Sequence, residues 1–272
     1  MKSVEIEVFE KLFKGPEQEP FDAESFWDAK AADFSTAQQK ERMGFSGLVA
    51  ESLLQKGLLR GNVLDIGGGT GRYALAFAPH VKSLTLSDIS PQMLFFARKN
   101  LENAGFKNIE YTQLDWKNVD IEALGLTKKY DLTFAAMTAA SRSNEGLKKM
   151  ASASRGCCCI AQSIQAEDNV YLRLKEALHI PPAQNIYGDR DSLQAYFNLL
   201  WMQGYNPEIV YLSQEKQSFA SREDIVERYG GFFADIAANQ GTSLNEVVFS
   251  AFAEDTVHCT DRETLALLVW KV

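Results

Sequence analysis

The chain has 272 residues but only three histidines and four cysteines, and this scarcity limits its chemistry. His80, His179 and His258 are scattered, and no histidine or cysteine pair stands at zinc-ligand spacing. Cys157, Cys158 and Cys159 are consecutive, and adjacent strand residues point to opposite faces. Three in a row cannot converge tetrahedrally on one metal, and neighbours bridge poorly. They read as small buried thiols, and Cys259 beside His258 is no better a metal pair. Basic residues are also in deficit. A formal net charge of -8 argues against a general phosphate-backbone binder, so no nucleic-acid partner is expected. No run approaches the roughly 18 apolar residues of a membrane span. The opening "MKSVEIEVFEKLF" is too acidic and too interrupted for a signal peptide. A cytoplasmic protein without a membrane partner is the expectation. There is no internal repeat, no low-complexity tract and no Pro- or Ser-rich linker.

What is present is alternation. Phe45, Leu48, Val49 and Leu53 follow helical spacing, and Gly57 is placed to end that helix. Residues 62 to 66 read as a buried strand, "RYALAFA" as a helix and "SLTLSD" as a second strand. Ser90 caps the next helix, with Pro91 at its first position and Gly105 after its end. "NIEYTQLD", "YDLTFAAM" and "CCCIAQS" supply three more strands. This order predicts an α/β fold: a mostly parallel, doubly wound sheet of seven strands with helices on both faces. We expect one domain over residues 1–272. A helical extension and possible lid occupies 1–44, the core 45–165, a helical insertion 166–204, and the last strands and helices 205–272. In the last part "EIVYL" and "ETLALLVWK" read as strands, and Ser221 with Asp224 as a capping box.

The stretch "VLDIGGGTGR", residues 63 to 72, carries the chemistry. Glycines between a strand and a helix let a ligand touch bare backbone and a helix N-terminus. A nucleoside triphosphate loop would need a lysine that is absent. "GTGRYA", Gly69 to Ala74, fits the dinucleotide pattern formally. Asp65, however, stands just before the loop, at the strand edge where parallel sheets bind ligands, and would repel a pyrophosphate. A ligand with an amino group and a sulfonium would be attracted there, and S-adenosylmethionine is one. Asp88 ends the second strand, 21 residues after Gly67, where a carboxylate can accept both ribose hydroxyls. Asp115, expected at the end of the third strand, can accept from the adenine amino group. Ile89 and Trp116, which follow these acids, can sandwich the base.

With "VLDIGGGTG", "LSDISPQML" and "YTQLDW" in this order, the sequence resembles the class I S-adenosylmethionine-dependent methyltransferases, whose fold is Rossmann-like. The resemblance covers residues 45 to 165 by motif. It implies that Gly67 and Gly69, with Gly68 between them, pass close to the methionine moiety. It also implies that Asp88 binds the ribose, that Asp115 binds the adenine, and that Met93 packs near the base. The product would be S-adenosylhomocysteine. Families that methylate DNA-base amines carry an acid or Asn, two prolines and an aromatic after the fourth strand. Here that stretch is "AMTAAS", Ala136 to Ser141, so a small-molecule acceptor is expected.

Three alternatives stay open at this level: an NAD-dependent oxidoreductase, a non-catalytic S-adenosylmethionine-binding module, and transfer of another group from an adenosyl donor. No catalytic base and no metal ligand is assigned, and the oligomeric state is open. His179, Tyr187, Arg190 and Arg142 are candidates for the acceptor side. Trp27, Ala31 and Phe34 in "ESFWDAKAADF" share one helix face and make the extension a candidate lid.

Overall fold

The computed structural model describes residues 2–13, 21–40, 44–181 and 188–272. Tyr187, and the stretches 14–20 and 41–43 of the expected extension, lie outside the described residues. The elements run α1 (Lys2–Glu10), α2 (Ala23–Lys40), α3 (Phe45–Gln55), β1 (Asn62–Ile66), α4 (Arg72–Phe77), β2 (Ser83–Asp88), α5 (Pro91–Asn103), β3 (Ile109–Gln113) and β4 (Tyr130–Ala136). Then come α6 (Asn144–Ala153), β5 (Ser154–Asp168), α7 (Asn169–Ala177), α8 (Arg190–Met202), β6 (Glu208–Ser221), α9 (Arg222–Asn239), α10 (Leu244–Ala251) and β7 (Thr256–Lys271). Short 3-10 turns follow α4 and β4.

Seven strands form one sheet in the order β3-β2-β1-β4-β5-β7-β6. The pairs β1–β2, β1–β4, β2–β3 and β4–β5 are parallel. Strands β1, β2 and β4 are buried along nearly their whole length, as parallel strands covered on two faces must be. Strands β6 and β7 differ. Ser213 meets Thr264, and two residues further along β6 Glu215 meets Arg262, two residues back along β7. Opposite stepping means antiparallel pairing, so the sheet is mixed.

The local signals act as their chemistry requires. The Ser90 hydroxyl accepts from Met93 N (2.9 Å) at the start of α5, and Gly105 takes a positive φ of 84° after its end. Ser221 and Asp224 form the reciprocal capping box of α9. Helices α2, α5, α4 and α3 pack on one another in that succession, while α1 and α6 pack on α8. These two groups are what a sheet with helices on both faces requires.

The chain divides into two compact units. The first holds residues 1–162, 190–212 and 266–272, and the second 163–189 and 213–265. Of the helical insertion expected over 166–204, α7 thus lies in the second unit and α8 in the first. The second unit has its own core, with Val170 and Leu174 of α7, Ile225, Tyr229 and Phe233 of α9, and Val248 of α10. All four cysteines are buried free thiols, and burial pushes the Cys158 thiol up to about 12. They are packing residues, as the strand geometry implied. Among the described residues, no cluster of His, Cys, Asp or Glu could hold a metal, and no helix is long and apolar enough to cross a membrane.

Candidate active site

Asp65, Gly67, Gly68, Gly69, Asp88, Ile89 and Met93 gather at the carboxyl edge of β1 and β2, all within the first unit. β1 ends at Ile66 and the chain turns at once through Gly67, whose φ is 63°. A Cβ there would lie 2.4 Å from the Thr138 hydroxyl, so glycine is required both by conformation and by the close approach of the chain after β4. Gly68 N donates to Ser87 O (3.0 Å), which ties the loop to β2. Gly69, at φ 55°, would meet only Met93 Sδ, at 4.0 Å. The loop therefore leaves an open backbone surface above Met93, a cradle that any side chain at Gly69 would begin to fill.

Asp65 lies beneath this loop and is 1% exposed. Its register partners are Leu86 on β2 and Phe134 on β4, both fully buried. Its Oδ2 has no hydrogen-bond partner. A Cβ on Gly68 would stand 2.9 Å from that oxygen, so the carboxylate presses against the loop backbone. Burial, with Asp88 nearby, pushes the carboxyl up to about 7. A buried acceptor left unmatched costs free energy unless a ligand supplies the donor.

Asp88 has the opposite situation. Its Oδ2 accepts from Gly69 N and its Oδ1 from Ser90 N, each at 2.9 Å. The side chain thus clasps the glycine loop to the turn before α5. Each carboxylate oxygen has two acceptor sites, so capacity remains for ribose hydroxyls. Burial pushes this carboxyl up, and the N–H groups of Ser90, Gly69 and Ile89 pull it back.

The adenine side departs from expectation. β3 stops at Gln113, so Asp115 lies beyond the strand, in a turn. Its carboxylate accepts from Lys117 N (3.0 Å) and Asn118 Nδ2 (2.6 Å) and so shapes that turn. Trp116 is buried, and its Nε1 donates to Gly146 O of α6 (3.4 Å). Ile89 is half-buried, and its carbonyl accepts from Gln113 Nε2 (3.1 Å). Met93 is buried under Gly69.

Asp28, Ser35 and Gln38 of α2 and Asn100 of α5, which carry no motif signal, also reach this corner. On α2, Asp28, Ala31, Ser35 and Gln38 fall at i, i+3, i+7 and i+10, one face of the helix, and α2 packs on α5. Asp28 accepts from the Ser90 hydroxyl (2.5 Å) and Gln92 N (3.2 Å). Gln38 accepts from the Thr70 hydroxyl of the glycine loop (2.6 Å). Asn100 of α5 donates to Thr70 O (3.0 Å) and Ser35 Oγ (3.3 Å). Of the apolar stripe Trp27–Ala31–Phe34, only Ala31 also lies on this docked face. Ala31 is buried, but Phe34 is exposed and packs edge-on against Trp27 at 5.6 Å. Of the acceptor-side candidates, Arg142 is half-buried, and His179 and Arg190 are exposed.

Residues 63–156 match a family model described as a methyltransferase domain. This part of the chain is thus similar to methyltransferase domains. The family takes its methyl group from S-adenosylmethionine. A proposed methyltransferase from Bacillus halodurans is similar in fold: 19% identity, 82% of this chain and 97% of that chain covered, TM-score 0.50. A proposed sarcosine dimethylglycine methyltransferase from Galdieria sulphuraria has 17% identity, coverage of 83% and 84%, and a TM-score of 0.47. An S-adenosylmethionine-dependent methyltransferase from Aquifex aeolicus has 16% identity, coverage of 65% and 91%, and a TM-score of 0.46. Identities this low speak only to architecture. No curated protein matches the chain by sequence.

The methyltransferase cofactor fits the residues present. The unmatched Asp65 oxygen suits a cationic group, and the bare backbone at Gly69 suits a ligand lying on the loop.

Proposed function

We propose that the chain transfers the methyl group of S-adenosylmethionine to a small-molecule acceptor. The observation that carries this reading is the buried Asp65 carboxylate, with one oxygen unmatched, under a glycine loop clasped by Asp88. In this reading Asp65 faces the ammonium end of the cofactor, and Asp88 keeps its two loop bonds while accepting the ribose hydroxyls. Gly67, Gly68 and Gly69 let the backbone come close, and Met93, Ile89 and Asp115 border the base. Trp116 would reach the base only by its buried edge, since its indole N–H already serves α6.

When bound, S-adenosylmethionine supplies a methyl group already activated by its sulfonium. The protein's part is then to hold the acceptor in line and keep water out, and positioning of this kind can lower a barrier by roughly 7 to 11 kcal/mol. The acidic chain and the "AMTAAS" stretch after β4 favour a small acceptor over a nucleic-acid base. Calorimetry with S-adenosylhomocysteine, S-adenosylmethionine and NAD tests the reading. Binding of the two adenosyl compounds and not of NAD is expected. Tight NAD binding with no response to the others would restore the oxidoreductase alternative.

We further infer that α2 works as the cover of this site. Its contacts at Ser90 and Thr70 are to the two loops that the cofactor would touch. Ligand binding that fixes those loops should therefore tighten α2. Amide hydrogen exchange over residues 23–40 is expected to slow when S-adenosylhomocysteine is added. Strong, equal protection in both states would make α2 static packing.

A further inference from the structure

Resting on the cofactor reading above, we propose that Asp65 couples cofactor capture to proton release. At mildly acid pH its carboxyl is protonated in the free protein and gives its proton to solvent when the cofactor's ammonium group arrives.

The geometry makes the free carboxylate hard to keep charged. Asp65 is sealed between two apolar strand neighbours, Leu86 and Phe134, and roofed by the backbone of Gly68. One oxygen has nothing to accept from. A carboxylate with that oxygen cut off from both water and donors is costly to charge, and neutralises instead. The charges around it reinforce this. From the end of β2, Asp88 acts on it as a like charge, and Asp28 on α2 acts in the same sense on Asp88. β4 presents Phe134 in register, and Gly67, Gly68 and Gly69 bring no side chain. Burial and Asp88 together bring the group to about 7.

An ammonium placed at the unmatched oxygen reverses the balance, because an opposite charge at contact favours the ionised form. The step balances simply. The Asp65 O–H bond breaks, the proton passes to buffer, and an N–H of the ammonium is shared with the carboxylate. Nothing is oxidised or reduced. Below the titration point of the free group, protons then compete with the cofactor. Affinity must fall with falling pH by as much as tenfold per unit, the slope being the number of protons released.

The test is titration calorimetry with S-adenosylhomocysteine in two buffers of different ionisation enthalpy, at about pH 6 and about pH 7.5. We expect release of nearly one proton at the lower pH and clearly less at the higher. 5′-Methylthioadenosine carries the same adenine and ribose but no ammonium. It engages Asp88 equally and should bind without release, which separates the two carboxylates. Asp65→Asn should bind S-adenosylhomocysteine more weakly, without release and without pH dependence over this range. An infrared difference spectrum of the unmodified protein should lose a protonated-carboxyl band on binding, a readout that needs no variant. Binding of S-adenosylhomocysteine with no proton released at about pH 6 overturns the proposal and leaves the cofactor reading intact. Release that persists in Asp65→Asn, or occurs equally with 5′-methylthioadenosine, assigns the proton elsewhere and also overturns it. No binding of either compound removes the cofactor reading itself.

Discussion

Replacing Asp65 with asparagine is expected to stabilise the free protein at about pH 8 while removing most of its affinity for S-adenosylhomocysteine. The two effects share one cause. The folded carboxyl sits at about 7, above the unfolded value of roughly 3.9. The native state therefore binds more protons than the unfolded chain between these values, and stability falls as pH rises from about 4 to 7. Above that window the ionised group costs the fold about 4 kcal/mol at most, taking 1.36 kcal/mol per unit. Asparagine fills nearly the same volume and carries no charge, so the cost of the charge disappears, offset in part by roughly 1 to 3 kcal/mol for a buried NH₂ without an acceptor. At roughly 2 °C per kcal/mol for a chain of this size, the thermal midpoint should rise by several degrees at about pH 8. It should be nearly unchanged at about pH 3, where Asp65 is almost wholly neutral in both states. In exchange, the ammonium of the ligand loses a charged partner, worth roughly 1.5 to 3 kcal/mol, or about a 10- to 150-fold weaker dissociation constant. Thermal scans at the two pH values, with calorimetry alongside, give the answer. A variant no more stable at the higher pH would mean that Asp65 has a hidden partner.

That trade explains why such a residue stands out in the sequence. Asp65 breaks a local rule: a charge inside a run of Val63, Leu64 and Ile66 that is otherwise core. Sites that break folding rules are where function is to be sought. The glycine loop and Asp88 are legible for the same reason, since backbone needs and strand ends leave marks at fixed spacing. The strands β1, β2 and β4 are legible because continuous apolar runs bounded by turns have one stable use in this context. Other features leave no such mark. α6 opens with the polar "SNEG", so neither its cap at Ser143 nor its apolar face of Leu147, Met150 and Ala151 marks a helix in the sequence. β6 and β7 run well beyond "EIVYL" and "ETLALLVWK". Their outer halves alternate polar residues that are paired across strands, Ser213 with Thr264 and Glu215 with Arg262, and pairing is not visible in one strand alone. Asp115 reads as a strand-end ligand because it follows "YTQL", but β3 stops two residues earlier and the acid shapes a turn. α2 is legible as a helix with aromatics. The face that docks is the polar one, because Asp28 and Gln38 find their partners in loops more than thirty residues away.

The same chemical change made 23 residues downstream, Asp88→Asn, is expected to act with the opposite sign on stability. Asp88 is nearly as buried as Asp65, at 8% exposure, and burial also pushes its carboxyl up. Burial alone would therefore predict that neutralising it helps the fold. The hydrogen bonds decide otherwise. Both oxygens are matched, Oδ2 to Gly69 N and Oδ1 to Ser90 N. An amide has one acceptor oxygen and one NH₂, so whichever way asparagine turns, a donor faces a backbone donor. One charge-assisted bond is lost, the other is weakened, and one buried N–H is left unmatched. The loss for each charged bond is roughly 1.5 to 3 kcal/mol, against the gain from removing a buried charge. The bonds alone do not offset burial, since the carboxyl stays raised. The unmatched N–H sets the sign, because a protonated carboxyl keeps an acceptor lone pair on each oxygen and an amide nitrogen has none. We expect the thermal midpoint of Asp88→Asn to fall by several degrees at about pH 8, where that of Asp65→Asn rises. Cofactor affinity should fall in both variants. In Asp88→Asn the loss has a second source, because the glycine loop is no longer clasped to the turn before α5. Hydrogen exchange at residues 67–71 should therefore quicken in Asp88→Asn and stay unchanged in Asp65→Asn. Thermal shifts of the same sign in the two variants would show that burial, and not hydrogen-bond satisfaction, governs this pair of carboxylates.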